Sequence, residues 1–159
     1  MAASRPQELL RLLTRAERLS ARRMQQVLDE FGCSVEEWRV LALLSDGQGH
    51  NMTAIADCAF LPPPSLTKLM DHLVDQNLVY RRTDPADRRR ILAQLTPRGQ
   101  QFWQRVDRRV RADWAELVPL LEQDDGDRLR ALLSRLGDAL DGDGEVTTGR
   151  AGNGVGRAR

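Results

Sequence analysis

The sequence is poor in the residues that build disulfide scaffolds and metal sites. Its 159 residues include two cysteines, Cys33 and Cys58, and two histidines, His50 and His72. A disulfide-rich fold needs more cysteines, and these four side chains show no metal-ligand spacing. We therefore expect neither a metal site nor a cofactor.

Long hydrophobic runs and catalytic motifs are also missing. No stretch approaches about 18 uncharged apolar residues, so the sequence predicts no membrane span. The first segment, MAASRPQELLRLLTRAERLS, mixes acids and arginines with its leucines, unlike the apolar core of a signal peptide. We therefore expect a cytoplasmic protein. No Ser-His-Asp set, pair of catalytic carboxylates or glycine-rich phosphate loop is apparent, which argues against an enzyme.

Charge is distributed unevenly along the chain, although the formal net charge is only +1. Residues 51–112 hold eleven Lys and Arg against six acids, a net charge of +5. Residues 113–145 hold three Arg against ten acids, a net charge of −7. A basic region within a nearly neutral protein indicates one face that binds a polyanion.

The first part of the chain predicts three helices. Apolar residues spaced by three and four predict a long helix over residues 6–31, with Gly32 as its stop. Ser34 and Glu37 have the spacing of a capping box, which predicts the start of a second helix. Thr53 is expected to cap a short third helix.

A fourth helix is predicted to begin within the LPPP segment at residues 61–64. Pro63 or Pro64 suits the first turn, an amphipathic stripe continues to about Gln76, and Asn77 is a candidate left-handed stop. The polar face of this helix carries Ser65, Thr67, Lys68, Asp71, His72 and Asp75.

Two short strands follow, LVYRR at residues 78–82 and RILAQL at 90–95, with a charged connection, TDPADRRR, between them. Asp84 and Pro85 fit the first two positions of a type I turn. These features predict a β-hairpin with a long basic tip.

Two more helices are predicted after the hairpin. Thr96 is the expected cap of the first, which Pro119 ends or kinks, and the second runs from about residue 124 to 140. The glycine-rich segment 142–159 is expected to be disordered.

The order of helix, tight turn, amphipathic helix and basic hairpin is that of a winged helix-turn-helix. In such modules the second helix of the pair lies in the DNA major groove. An arginine at the hairpin tip suits the negative potential of a narrow minor groove. A charge run alone would indicate a solvated loop, but its place at a hairpin tip beside an amphipathic helix favours DNA binding.

The segment SLTKLMDHLVDQNLVYRRTDPADRRRILAQLTPRG, residues 65–99, closely resembles the signature region of the MarR (multiple antibiotic resistance regulator) family. The shared elements include the Leu-Thr-Lys start, Asp87-Arg88-Arg89, and the Leu-Thr-x-x-Gly motif at 95–99. The segment WRVLALL at 38–44 also resembles the second helix of the family. The resemblance covers about residues 38–100.

This resemblance implies a mainly α fold with a small β-hairpin wing, assembled as an intertwined homodimer through its N- and C-terminal helices. It implies a ligand-responsive repressor that binds a palindromic operator in double-stranded DNA, with a small phenolic or other aromatic effector as a possible partner. The expected organisation is one domain over 1–141, with a winged core at 34–97, dimerisation helices at 6–31 and 98–141, and the tail at 142–159.

Site residues can be carried over from the family by position. The set placed at DNA is Ser65, Thr67, Lys68, His72, Asp87, Arg88, Arg89 and Arg90. In this set Asp87 would orient the Arg89 side chain through a charge-assisted hydrogen bond, and Arg89 would enter the minor groove. His72 stands where the family often has an arginine. The usual polar cap of the recognition helix is replaced by proline.

Three alternatives stay open on the sequence. The winged helix could serve as a protein-interaction module, or Cys33 or Cys58 could sense oxidants. Four aromatic residues could line an effector pocket or simply belong to the core, namely Trp38, Phe102, Trp103 and Trp114.

Overall fold

A computed structural model of the chain describes residues 6–117 and 125–146. The chain divides into two compact units, Met1–Asp113 and Trp114–Arg159. Within the described ranges, no helix is both long enough and apolar enough to cross a membrane.

The first unit contains all three strands of the described sheet. In chain order, the helices and strands of both units are α1 (Pro6–Asp29), α2 (Val35–Leu44), β1 (His50–Asn51), α3 (Met52–Ala59), α4 (Pro63–Asp75), β2 (Val79–Thr83), β3 (Ile91–Leu95), α5 (Pro97–Ala115) and α6 (Asp125–Val146).

Several predicted helix boundaries are confirmed. Gly32 has a φ of 63°, and Asn77 has a φ of 55°, so both adopt the left-handed conformation after a helix. The capping box at the start of α2 is formed: Glu37 N donates to Ser34 Oγ at 3.1 Å, and Ser34 N donates to a Glu37 carboxylate oxygen at 2.7 Å. These local signals fix where α1 and α4 end and where α2 begins.

The predicted cap of α3 is wrong. Asn51, not Thr53, precedes the helix, and its side-chain oxygen accepts a hydrogen bond from Ala54 N at 2.9 Å. Asn51 has the extended backbone that a cap requires because it also belongs to β1, and Asn is a stronger capping residue than Thr.

The sheet has three antiparallel strands in the order β1-β3-β2, so the predicted two-stranded hairpin was incomplete. The hairpin register pairs Val79 with Leu95 and Thr83 with Ile91. On the other side of β3, His50 pairs with Ala93. A two-residue strand is too short to show the alternation by which strands are recognised in a sequence.

The apolar stripe predicted for α4 faces the core. Leu66, Met70 and Leu73 are buried, while Leu69 and Val74 are partly buried against the same cluster. Burying side chains of this size stabilises the fold by about 1.5–3 kcal/mol each. Because this face of α4 is fixed in the core, the opposite face is presented to solvent.

A hydrogen-bonded turn connects the start of α5 to the end of α4. Thr96 Oγ1 donates to Asn77 O at 2.7 Å and accepts from Gly99 N at 2.9 Å, which confirms Thr96 as the cap. Thr96 N also donates to Leu78 O at 3.0 Å. These bonds hold the start of α5 against the turn that leads from α4 into β2.

The two C-terminal boundaries differ in detail from those predicted. Helix α5 ends at Ala115, and Pro119 lies outside the described residues. Helix α6 continues to Val146, so residues 142–146 belong to a helix rather than to the predicted tail. Adding one residue to an existing helix is far easier than starting one, so a helix can extend through a few poor helix formers. Residues 147–159 lie outside the described ranges.

Candidate nucleic-acid interface

The outer face of α4 presents Ser65, Thr67 and Lys68 to solvent, as predicted from their spacing. The hydroxyl of Thr67 donates to Pro63 O at 3.0 Å. These side chains stand on the N-terminal half of the helix, which is the half that enters the major groove in helix-turn-helix proteins.

His72 is exposed, but its ring is engaged within the protein. Its Nε2 atom lies 2.7 Å from Gln76 Nε2 and 3.4 Å from the Glu37 carboxylate. The ring therefore links α4 to the capping box of α2. The contact with Glu37 was not predicted, because Glu37 lies on another helix, 35 residues earlier in the sequence.

Two consecutive turns shape the tip of the hairpin. Asp84 N donates to Arg90 O at 2.9 Å, just beyond the last residue pair of the hairpin. The Asp84 carboxylate then accepts from Ala86 N at 2.9 Å, and the main-chain bond that closes a four-residue turn runs from Arg90 N to Asp87 O. The expected turn at Asp84 and Pro85 is thus closed by the Asp84 side chain, and Asp side chains often form such turns.

Asp87 acts on the main chain and not on an arginine side chain. Its carboxylate accepts a hydrogen bond from Arg89 N at 3.0 Å. The predicted charge-assisted bond from the Asp87 carboxylate to the Arg89 guanidinium is therefore wrong: the partner is the Arg89 backbone N–H. At a separation of two residues an Asp oxygen reaches the backbone N–H easily, which is the geometry of an Asx turn.

The arginines at the tip carry uncompensated positive charge. Arg88, Arg89 and Arg90 are all exposed, and within the described part of the chain none of them forms an ion pair. Some other exposed arginines are paired, for example Arg111 with Asp107 at 2.7 Å. Unpaired guanidinium groups at a protruding tip favour an anionic partner.

One ion pair ties the wing to the recognition helix. Arg81 Nη2 on β2 lies 2.7 Å from Asp71 Oδ1 on α4. The β-hairpin is also braced by Tyr80, whose hydroxyl donates to Gln94 Oε1 at 2.6 Å. Sequence reasoning missed the pair between Asp71 and Arg81, since it depends on how the sheet is placed against the helix.

The two cysteines are free thiols that differ in burial. Cys33 is buried, and burial, aided by the negative charge of Glu37, raises the pKa of its thiol to about 12. The Cys58 sulfur lies 3.9 Å from Arg39 O. Throughout residues 6–117 and 125–146, no group of three His, Cys, Asp or Glu side chains is placed to hold a metal ion.

Three of the four aromatic residues noted in the sequence pack in the first unit. Trp38 and Trp103 have ring centroids 5.9 Å apart, and Phe102 packs edge-on against Phe31. The indole N–H of Trp38 is buried and has no hydrogen-bond partner among the described residues. Trp114 belongs to the second unit.

A solvent-facing helix that follows a helix and a turn, beside a hairpin with an arginine tip, defines a winged helix-turn-helix protein. Residues 31–90 match the family model described as MarR family. This match confirms the resemblance that the motifs at residues 65–99 indicated.

Two curated relatives are similar over most of their length. The chain is 27% identical over 130 residues to the HTH-type transcriptional regulator MhqR of Bacillus subtilis, covering 82% of this chain and 90% of that protein. It is 24% identical over 110 residues to the HTH-type transcriptional regulator FarR of Neisseria gonorrhoeae, covering 69% and 75%.

Solved structures share the fold. The transcriptional repressor CouR, bound to a 23-mer DNA duplex, has a TM-score of 0.71 at 26% identity, covering 79% of this chain and 89% of that one. NadR in complex with 4-hydroxyphenylacetate has a TM-score of 0.75 at 22% identity, covering 86% and 96%.

Proposed function

We propose that this protein is a sequence-specific transcriptional regulator that represses by binding a palindromic operator as a homodimer and responds to a small ligand. The observation that carries the proposal is that one compact unit contains both the exposed polar face of α4 and the three arginines of the hairpin tip, which form no ion pair among the described residues. The ion pair between Asp71 and Arg81 holds these two surfaces together. The DNA complex of the similar repressor CouR supports this function.

In this proposal the two surfaces have different tasks. Ser65, Thr67 and Lys68 contact base edges and phosphates in the major groove, which selects the site. Arg88 and Arg90 contact phosphates, and Arg89 enters the adjacent minor groove. Phosphate contacts by arginine release counterions, so the affinity depends strongly on salt. His72 is already held by its neighbours and contributes less.

A second copy of the chain is the proposed partner of the terminal helices. Large exposed apolar patches on a soluble protein mark interaction sites. Leucines with about half or more of their surface exposed occur on α1 (Leu9, Leu10, Leu12 and Leu19) and on α6 (Leu129, Leu132, Leu133 and Leu140). A symmetric dimer covers these leucines and presents two recognition helices to DNA.

The proposed effector is a small aromatic or phenolic acid. A buried N–H without an acceptor costs about 1–3 kcal/mol, so the Trp38 indole favours a ligand that supplies an oxygen. Trp103 lies beside it and offers an aromatic face. The complex of NadR with 4-hydroxyphenylacetate supports this ligand class. A ligand that binds more tightly when the two recognition helices of the dimer are at a spacing that does not fit DNA shifts the population away from the DNA-binding form.

We also propose that the protein acts in the cytoplasm and without catalysis, as expected for a regulator. A redox-sensing role for Cys33 is not favoured, because a thiol with a pKa of about 12 stays protonated at neutral pH, and the thiolate is the reactive form.

Selection of duplexes from a random DNA pool by the full chain tests this function. We expect enrichment of a palindrome whose half-sites are centred about 10 base pairs apart, or a multiple of that, because the two recognition helices are related by a two-fold axis. If no duplex is enriched at moderate salt, the DNA-binding function is wrong. The basic surface would then serve a protein-interaction module with an acidic partner.

A further inference from the structure

The recognition helix begins without free backbone donors. A helix ordinarily leaves its first four N–H groups without partners inside the helix, and these groups can hold a phosphate. At α4 the cap and the first two helical positions are Pro62, Pro63 and Pro64, which have no N–H. Pro62 forms no side-chain capping bond either.

The next donors are used inside the helix. Ser65 N and Leu66 N both donate to Pro62 O, each at 3.1 Å. At all five positions from Pro62 to Leu66, the backbone N–H is therefore either absent or satisfied. A phosphate placed at this end would find no backbone N–H to bind, in contrast to an ordinary helix N-terminus.

At these positions the helix presents apolar proline surface instead of donors, beside the exposed Ser65 and Lys68. Pro63 and Pro64 are exposed, and Thr67 is exposed one turn later. The Thr67 hydroxyl gives its hydrogen to Pro63 O at 3.0 Å, so its methyl group and acceptor lone pairs are what it offers to a partner. Pro64 and Thr67 are three residues apart and therefore lie on the same side of the helix.

We propose that Pro64 and Thr67 are specificity-determining residues that contact the C5-methyl groups of thymine. Thymine is the base that places a methyl group on the major-groove edge, and apolar side chains recognise it there. The proposal rests on the proposed DNA-binding function, whose helix α4 lies in that groove. Each half-site then contains at least one thymine whose methyl group is required for full affinity.

Deoxyuridine substitution tests this contact. The duplex enriched by the full chain is remade with deoxyuridine in place of each thymine in turn, which removes only the methyl group. Wild-type protein should lose about fourfold in affinity per methyl group at one or two positions of each half-site. Elsewhere in the duplex the change should stay below about twofold.

Two variants connect the effect to the residues. Pro64→Ser restores an N–H and a hydroxyl, and Thr67→Ser removes a methyl group but keeps the hydroxyl that bonds to Pro63 O. Either variant should reduce the methyl dependence at one position to less than about twofold. Pro85→Ser makes the same exchange on the wing and should leave the dependence unchanged. If Pro64→Ser does not fold, as judged by circular dichroism, Thr67→Ser carries the comparison.

Two results would overturn the inference. Wild-type protein could bind every deoxyuridine duplex as tightly as the thymine duplex, or the variants could keep the full dependence on the methyl group. The absence of any enriched duplex is a different result, because it would overturn the proposed function itself.

Discussion

At Gly99 a side chain would collide with the main chain of Leu78, in the turn between α4 and β2. A Cβ atom there would overlap the carbonyl oxygen of Leu78. The same carbonyl accepts a hydrogen bond from Thr96 N, so it cannot move away without breaking that bond. The resemblance identified the Leu-Thr-x-x-Gly motif in the sequence, but its cause is this close approach, which is visible only in three dimensions.

Gly99→Ala should therefore lower the free energy of unfolding by about 1–3 kcal/mol, as expected for overpacking a tight site. The midpoint of chemical denaturation measures the change. Gly126→Ala is a matched control, because nothing lies within 4 Å of a Cβ at Gly126. The control should be neutral or stabilising by up to about 1 kcal/mol. Equal stability of Gly99→Ala and wild type would contradict this account of the motif.

Individual atoms were the least predictable part of the site. The sequence identified Asp87 and Arg89 as related residues, but the bond joins the Asp87 carboxylate to the Arg89 backbone. For His72, the sequence indicated an exposed position without revealing the contact with Glu37. Partner choice among polar side chains depends on distances of a few ångströms, which spacing along a chain cannot supply.

At the scale of elements, periodicity and capping signals predicted most of the winged core. The α4 stripe, the Ser34 capping box and the hairpin strands all follow from local rules. Strand β1 does not, because two residues carry no period, and its pairing with β3 depends on contacts distant in sequence. The cap of α3 was misplaced for the same reason, since Asn51 belongs to that strand.

Helix α1 gives a test of the proposed dimer. Leu10 is 64% exposed in the single chain, so an apolar partner is expected to cover it. Leu10→Asp should weaken self-association, because burying an unpaired carboxylate is costly. Sedimentation should show wild type at twice the 18.0 kDa mass of the chain, with a shift of the variant towards 18.0 kDa at low concentration.

Ile91→Asp is the matched control for this test. Ile91 is also an exposed aliphatic residue, but it belongs to β3 of the hairpin and not to a helix proposed for the dimer. This variant should keep the mass of the wild-type protein. A monomeric wild type, or equal loss of mass in both variants, would contradict the assignment of α1 to the dimer interface.

At the scale of the whole molecule, charge distribution was the most informative property of the sequence. The net charge of +5 over residues 51–112 falls on α3, α4, the wing and most of α5. The sequence could not show which of these arginines are already neutralised by neighbours. The structure separates paired arginines such as Arg81 and Arg109 from the unpaired wing tip.

Domain organisation and assembly are the properties that a sequence or a single chain determines least. One domain over residues 1–141 stays a prediction, and so does the homodimer. Assembly depends on what covers the exposed leucines, and that is decided by contacts between copies and not by the chain's own pattern. DNA binding by the wing and α4 is the claim on which the other proposals depend.

The dependence of duplex affinity on salt concentration tests this central claim most directly. For wild-type protein on its enriched palindrome, log Kd should rise steeply with log salt concentration. Arg88→Ala/Arg90→Ala should flatten the slope by about 0.9 for each lost phosphate contact, or by about 3 to 4 for a dimer. Arg111→Ala/Arg130→Ala removes the same charge from exposed arginines that are already paired, and it should keep the wild-type slope. A wild-type affinity that does not depend on salt, or equal slopes for both double variants and wild type, would contradict DNA binding through the wing.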